Sequence, residues 1–313
     1  MIDGDALKAD QLTVQQLRSF CAVYQRQSYS AAAKDLGMSV PTIWEQVRLL
    51  EQRYAAPLFA RRGRRIYPTP SAESLHKTLL PLLAGLDSTF EIVREKAGVP
   101  TQQLTLVTGV RMILEELGRP LARFRQLHAA VSLRLLHGDD RTAQRLIVAG
   151  EADLALTLEP SPGRLDEAVA QERAYQVQCL AIVPKTHPLA RKRALRLADV
   201  VSFPLVVGRP ETHIRNLLDQ ALHREGLRER LQLAAETDNS ASTIACVRAG
   251  MGVGIVAGQV DGFLSGGLAT CSLRRQLGHA WIVFLWKKGR SLTSTHAALM
   301  RLVREGTPRF RES

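Results

Sequence analysis

Beyond Pro100 the chain breaks into short apolar runs, LTLVTG, VSLRLLHG, ADLALTLE, QCLAIVP, FPLVVG, GVGIVAG and WIVFLW. Stretches with helical spacing, such as LGRPLARFRQLH, DRTAQRLIVAGE and HIRNLLDQALHREG, lie between them. Runs of that length suit buried strands, and their alternation with helices predicts parallel sheets covered by helices. About 200 residues of this pattern are enough for two α/β lobes. No fixed-period repeat interrupts it.

The first hundred residues follow a different rhythm. Leu17, Phe20, Cys21, Val23 and Tyr24 recur at helical spacing after Thr13, which suits an N-cap. Ser30 opens a second, short helix rich in Ala, and Gly37 ends it. Ser39 caps a third, with Pro41 in its first turn and Ile43, Val47, Leu50 and Tyr54 as its apolar stripe. The order is helix, helix, tight turn, helix. Then comes ARRGRRIYPTP, where Arg61, Arg62, Arg64 and Arg65 surround Gly63. Two extended arms around that glycine make a hairpin-like wing, whose arginines either touch phosphates or the minor groove, or form a solvated loop.

From Thr69 to Lys96 the spacing predicts one long helix. Leu75, Leu79, Leu82, Leu86, Phe90 and Val93 lie close to a heptad seam, which points to a dimerising linker; a surface helix with one buried stripe would look similar. Pro81 should kink this helix or remove one of its hydrogen bonds. The expected domains are 1–68, 69–97 and 98–313.

Charge narrows the partners. Lys and Arg outnumber Asp and Glu by 42 to 30, a net charge of +12, which favours polyanions or membrane surfaces. No apolar run is long enough to span a membrane, and the N-terminal MIDGDALKAD is acidic, so the reading is cytoplasmic. Cys21, Cys179, Cys246 and Cys271 show neither a CxxC pair nor metal spacing. They read as buried small hydrophobes, with a redox pair of Cys246 and Cys271 left open. No cofactor or metal is expected. Gly250, Gly252 and Gly254 of GMGVG precede a strand instead of joining a strand to a helix, so the dinucleotide fingerprint is not met; Gly250 is expected to end a helix. Neither GxSxG nor HExxH occurs, and no nucleophile stands beside a base, so no enzyme is expected.

The stretch LRSFCAVYQRQSYSAAAKDLGMSVPTIWEQVRLLEQRYAAPLFARRGRRIYPTPSAE resembles the N-terminal module of LysR-type transcriptional regulators. VSLRLLHGDDRTAQRLIVAGEADLALT, IVPKTHPLA and ACVRAGMGVGIVAG resemble the family's effector-binding domain, so the likeness covers nearly the whole chain. It implies a winged helix-turn-helix, a linker helix and a two-lobed domain of the periplasmic-binding-protein type 2 kind. It also implies a homotetramer, a dimer of dimers, that binds double-stranded DNA and alters its bending when a small molecule enters the interlobe cleft. RNA polymerase is a further candidate partner.

By the family pattern, DNA contacts come from the start of the third helix and from an arginine in the wing, and Pro41 and Arg61 match it; the candidate DNA-contacting residues are Ser39, Pro41, Thr42, Trp44, Glu45 and Arg48, then Arg61, Arg62, Arg64 and Arg65. Many relatives carry Gln before the proline and Ser-Arg where this chain has Val40 and Trp44-Glu45. Two explanations stand. Glu45 accepts from cytosine N4 while Trp44 lies against a thymine methyl or a sugar, or Glu45 pairs with Arg48 and Trp44 packs within the module. In the effector domain the resemblance places Thr108, Gly109, Arg111, His137 and Asp139 on the first lobe, and Asn239, Ser240 and Ser242 on the second, at the cleft mouth. Arg111 with Asp139 as a paired charge would suit a zwitterionic or polyhydroxylated effector, and Asn239, Ser240 and Ser242 could donate to the carboxylate or sulfate of an anionic one; a salt bridge between Arg111 and Asp139 is the plainer expectation. A different class, a solute-binding or enzymatic protein using its N-terminal module for assembly, remains as the alternative.

Overall fold

A computed structural model describes residues 12–307, apart from 64, 100, 102, 193, 211 and 261. The described residues form two compact units, one of those up to 93 together with 287–291 and the other of the rest.

The first unit is a helix-turn-helix with a hairpin and a long helix. Helix α1 (Val14–Arg26) starts at Thr13, whose hydroxyl accepts from the Gln16 amide while the Gln16 side chain accepts from the Thr13 amide. That reciprocal box satisfies two end donors. Helix α2 (Tyr29–Leu36) is capped by Ser28, so it begins earlier than the Ser30 expected. Gly37 closes it at φ +63, a left-handed turn that glycine adopts without a Cβ penalty. Helix α3 (Val40–Tyr54) follows from its Ser39 cap. Strands β1 (Phe59–Arg62) and β2 (Arg65–Pro68) pair antiparallel around Gly63. Phe20, Val23, Ile43, Val47, Leu50 and Leu58 are shut off from solvent, and Phe59 packs its ring against Phe20 and Tyr29. Each such large side chain contributes about 1.5–3 kcal/mol on burial.

Helix α4 (Pro70–Lys96) runs through Pro81 as a single α-helix. The six expected seam residues do not share a role. Leu79 is buried in the helix-turn-helix core, with Leu75 packed partly buried against it, whereas Leu82, Leu86, Phe90 and Val93 are 62, 39, 70 and 64% exposed. The helix begins on the core of its own module, so the first two leucines are spent there. The arginine of Arg18 pairs with Asp87, tying α1 to α4. Gly289, at φ +86, belongs to the same unit; a Cβ there would meet the Pro81 carbonyl oxygen at 2.0 Å.

In the second unit β3 (Gln103–Thr108), α5 (Val110–Glu115), α6 (Gly118–Leu127), β4 (Ser132–His137), α7 (Asp140–Ala149) and β5 (Leu154–Leu158) build the first lobe. The long β6 (Val169–Pro184) leads to α8 (Leu197–Val200), β7 (Leu205–Gly208), α9 (His213–Arg224), β8 (Leu233–Thr237), α10 (Ser240–Arg248), β9 (Val253–Gly258), β10 (Leu268–Ser272) and α11 (Arg274–Leu277) of the second. Strand β11 (His279–Lys287) and α12 (Ser294–Gly306) complete the chain. The sheet order is β4-β3-β5-β11-β6-β9-β7-β8, with β10 beside β6.

The sheet is mixed, not parallel throughout. β3 runs parallel to β4 and β5, and β7 to β8 and β9, but β11 is antiparallel to β5, and β6 to β9 and β10. Strands covered on both faces carry continuous apolar runs whichever way they point, so QCLAIVP and WIVFLW could not reveal direction. GMGVG is structural. Gly250 ends α10 at φ +77 with its amide donating to the Val247 carbonyl, and at Gly252 (φ +156) a Cβ would stand 2.3 Å from the Pro204 carbonyl oxygen. All four cysteines are free, so Cys246 and Cys271 are not joined.

Candidate DNA-reading face and effector cleft

The start of α3 is exposed. Ser39 and Thr42 spend their side chains locally: Ser39 Oγ accepts from the Thr42 amide at 3.2 Å and lies 2.7 Å from its hydroxyl. Pro41 and Thr42 lie exposed beside them. On the inner side Ser19 donates to the Gln46 side chain, fixing α3 against α1. Glu45 is held by Arg48, whose Nε and Nη2 donate to its two oxygens at 2.8 and 2.6 Å. That hydrogen bonding keeps the Glu45 carboxyl below its ordinary range. The pairing alternative therefore describes Glu45, but the packing alternative does not describe Trp44, which is 52% exposed.

The wing closes the other side. Arg61 and Ile66 are cross-strand partners, as are Arg62 and Arg65. Like charges directly opposite on a hairpin repel, so an anion would relieve the second pair. Arg62 gains part of that relief from the Tyr67 ring, 5.8 Å away. Arg64 lies outside the described residues. Between hairpin and helices, Ser28, Ser30, Trp44, Arg61 and Ile66 line a groove of about 430 Å³. Glu51, which sequence reasoning passed over, fixes the hairpin: its Oε1 accepts from the amides of Leu58 and Phe59 at 2.7 and 3.1 Å. The only signal for it was its place within the stretch that resembles the family's N-terminal module.

The second site is a cavity of about 130 Å³ between the lobes. Gly109, Arg111, His137 and Asp139 of the first lobe line it, as do Asn239 and Ser240 of the second. Thr108 and Ser242 do not. Thr108 is fully buried with its hydroxyl on the Met112 sulfur, and Ser242 turns its amide back to the Asn239 cap. Thr157, Thr212, His213 and Thr243 also line the cavity; none sits in a run that singled it out.

Arg111 and Asp139 do not pair. Arg111 is 5% exposed and donates to Glu116 and, at 3.1 Å, to Glu115. Tyr175 donates to Glu116, and the Leu264 amide donates to Glu115 at 2.9 Å. Helix geometry puts Glu115, four residues on, within reach of Arg111, whereas Glu116 meets it from the cap position just past α5, a contact that helical spacing does not announce. Burial works against the Arg111 charge, yet Glu116 and its neighbours hold the guanidinium protonated above its ordinary range. Burial, then Glu116, pushes the Tyr175 hydroxyl well above its usual value. Asp139 caps α7 by accepting from the Thr142 amide at 2.8 Å and pairs with Arg209 at 3.2 Å. His213 Nδ1 is buried without a hydrogen-bond partner, and burial lowers the ring's pKa from 6.5.

Among the described residues no group of three or more His, Cys, Asp or Glu could hold a metal ion, and no helix is long and apolar enough to cross a membrane. A capped helix-turn-helix with a basic wing, joined to a two-lobed domain with an interlobe cavity, defines an effector-responsive DNA-binding regulator. Residues 14–73 match the bacterial regulatory helix-turn-helix family of lysR type, and residues 97–308 match the LysR substrate binding domain. The chain belongs to the LysR family of transcriptional regulators. It is 26% identical over 237 residues to the HTH-type transcriptional regulator SsuR of Burkholderia cenocepacia, spanning 75% of this chain and 76% of that one. In fold it is similar to HinK, a LysR family regulator from Pseudomonas aeruginosa (TM-score 0.55, 19% identity, 94% of this chain and 98% of that). It is similar also to full-length CbnR in complex with its target DNA (TM-score 0.52, 18% identity, 93% and 98%).

Proposed function

We propose that this regulator reads duplex DNA with the start of α3 and grips it with the wing. Trp44, exposed beside Pro41 and Thr42 on a firmly capped helix, is the observation that carries the reading. In the major groove its ring lies against a thymine methyl or a sugar, and Arg61, Arg62 and Arg65 neutralise phosphates or enter the minor groove. Leu82, Leu86, Phe90 and Val93 join two linker helices, and dimers join into a tetramer. A small molecule in the cavity lined by Gly109, His137, Asp139, Asn239 and Ser240 sets the arrangement of the DNA-reading modules. The Arg111 guanidinium is committed to two glutamates, and both Asp139 oxygens are committed to the Thr142 amide and Arg209, so neither supplies a free charge and the effector is held by the other polar groups of the cavity, His137 and Ser240 among them. The protein acts in the cytoplasm, and RNA polymerase is the partner through which it would alter transcription.

Mobility shift on the chain's own upstream region tests this reading. Sequence-selective, salt-sensitive binding is expected. Arg61→Ala with Arg62→Ala should flatten the slope of log K against log salt by roughly 0.9 per lost phosphate contact. Binding without sequence preference, or an unchanged slope, would overturn it.

A further inference from the structure

The surplus of positive charge is shared between the two parts of the chain. Residues 1–97 hold 13 Lys and Arg against 10 Asp and Glu, whereas residues 98–313 hold 29 against 20. Most of the surplus lies in the effector domain.

Part of that surplus collects on one region of the second lobe, where four segments adjoin. Arg224 at the end of α9 donates to the Gln276 carbonyl of α11 at 3.1 Å, and the Gln276 side chain donates to the Leu195 carbonyl. Arg230, in the short 3-10 turn Arg228–Arg230, reaches the Ser202 hydroxyl at 3.5 Å, just after α8. These contacts bring together Arg191, Lys192 and Arg196, then Arg224, Arg228 and Arg230, and finally Arg274 and Arg275. Asp199, Glu225 and Glu229 are the carboxylates within the same segments. Asp199 is engaged by Lys192 at 2.6 Å and by the Arg196 amide at 3.0 Å. Arg191, Arg196, Arg228 and Arg275 are exposed and form no ion pair among the described residues.

We propose that this basic region is a second DNA-contacting surface, which takes phosphates of the duplex outside the recognition site. The proposal rests on the DNA-binding function above. Three physical points favour DNA over an acidic protein. Guanidinium groups dominate the region, and their planar forks suit phosphate oxygens. A stable protein interface needs apolar anchors, yet none of the exposed large apolar side chains of the described residues falls within 188–202, 224–230 or 274–277. Finally, once the helix-turn-helix holds a duplex, flanking phosphates stand at high effective concentration, so a few exposed arginines suffice.

The test uses the full chain on two duplexes, one trimmed to a site selected from random DNA and one extended on both flanks. Wild-type protein should bind the extended duplex more tightly and with a steeper salt slope. The triple variant R196Q/R228Q/R275Q should lose that difference, about 0.9 in slope for each contact removed, while binding the trimmed site as wild type does. An unchanged slope on the extended duplex overturns the proposal. So does a variant with wild-type DNA binding that no longer engages RNA polymerase, because the region would then be a protein-docking surface. Wild-type protein that fails on the trimmed site would instead overturn the assigned recognition face. Arg228→Gln alone, at an exposed position outside any α-helix, repeats the measurement should the triple variant unfold; it should lower the extended-duplex slope by roughly 0.9, and no change would again refute the proposal.

Discussion

Phe90→Ala and Leu79→Ala, on one helix, should fail in different ways. Phe90 is 70% exposed in the single chain, so the proposed seam has that much of the ring to bury. Full burial of such a side chain contributes about 1.5–3 kcal/mol, so the available part is about 1–2 kcal/mol. A two-fold seam contains the residue twice, which raises the loss to about 2–4 kcal/mol and weakens the dimer roughly 30- to 1000-fold. Leu79 is 4% exposed within the helix-turn-helix core. Its truncation should cost about 2–5 kcal/mol of fold stability, through lost transfer energy and the cavity left behind. Sedimentation velocity across a dilution series gives the first quantity, and thermal unfolding followed through the N-terminal unit gives the second. An unchanged dissociation constant for Phe90→Ala would refute the division of roles along α4, and so would an unchanged melting temperature for Leu79→Ala.

Glu45→Gln should leave the motif selected from random DNA as it is, since Arg48 already occupies both carboxylate oxygens; a changed preference at one base position would show direct readout instead. Gly252→Ala should lower stability by at least about 2 kcal/mol, because a Cβ there collides with the Pro204 carbonyl; calorimetry showing no shift in melting temperature would contradict the geometry. Burial lowers the pKa of His213 below 6.5, so the unfolded chain takes up a proton first as pH falls. Stability present above about pH 6.5 is therefore lost below it, and His213→Gln should flatten denaturant-derived stability between about pH 7 and 5.5 relative to wild type. Parallel profiles for the two proteins would exclude that contribution.

What could be read in advance was local. Thr13, Gly37, Ser39 and the glycine of the wing act within three or four residues of themselves, so their side chains and backbone requirements announced the ends of helices and the hairpin. The strands with continuous apolar runs were equally plain. Strand β8, LAAET, was not, because its residues are only partly covered and it carries a charge. Leu75 and Leu79 follow the same spacing as Leu82 and Leu86, and only the fold shows that a module sits over the first pair. At the cleft, the family resemblance placed Gly109, Asp139 and Asn239 on the lining, but Arg111 was assigned the wrong partner. Its acids lie four and five residues further along the chain, while its expected one is capping a different helix. Charge in a sequence tells how much there is and says little about which pairs form.

The place of β11 in the sheet also governs the order in which the protein can be made. This strand, residues 279–287, lies between β5 and β6, which are complete by residue 184. During synthesis those two strands wait with unpaired edges while nearly a hundred further residues are added, and an open edge is a template for pairing with another chain. The helix-turn-helix needs no such wait for its own core. A message cut short before β11 would thus yield a chain with a complete helix-turn-helix core and a second domain split down its middle, prone to aggregate while still able to present α3.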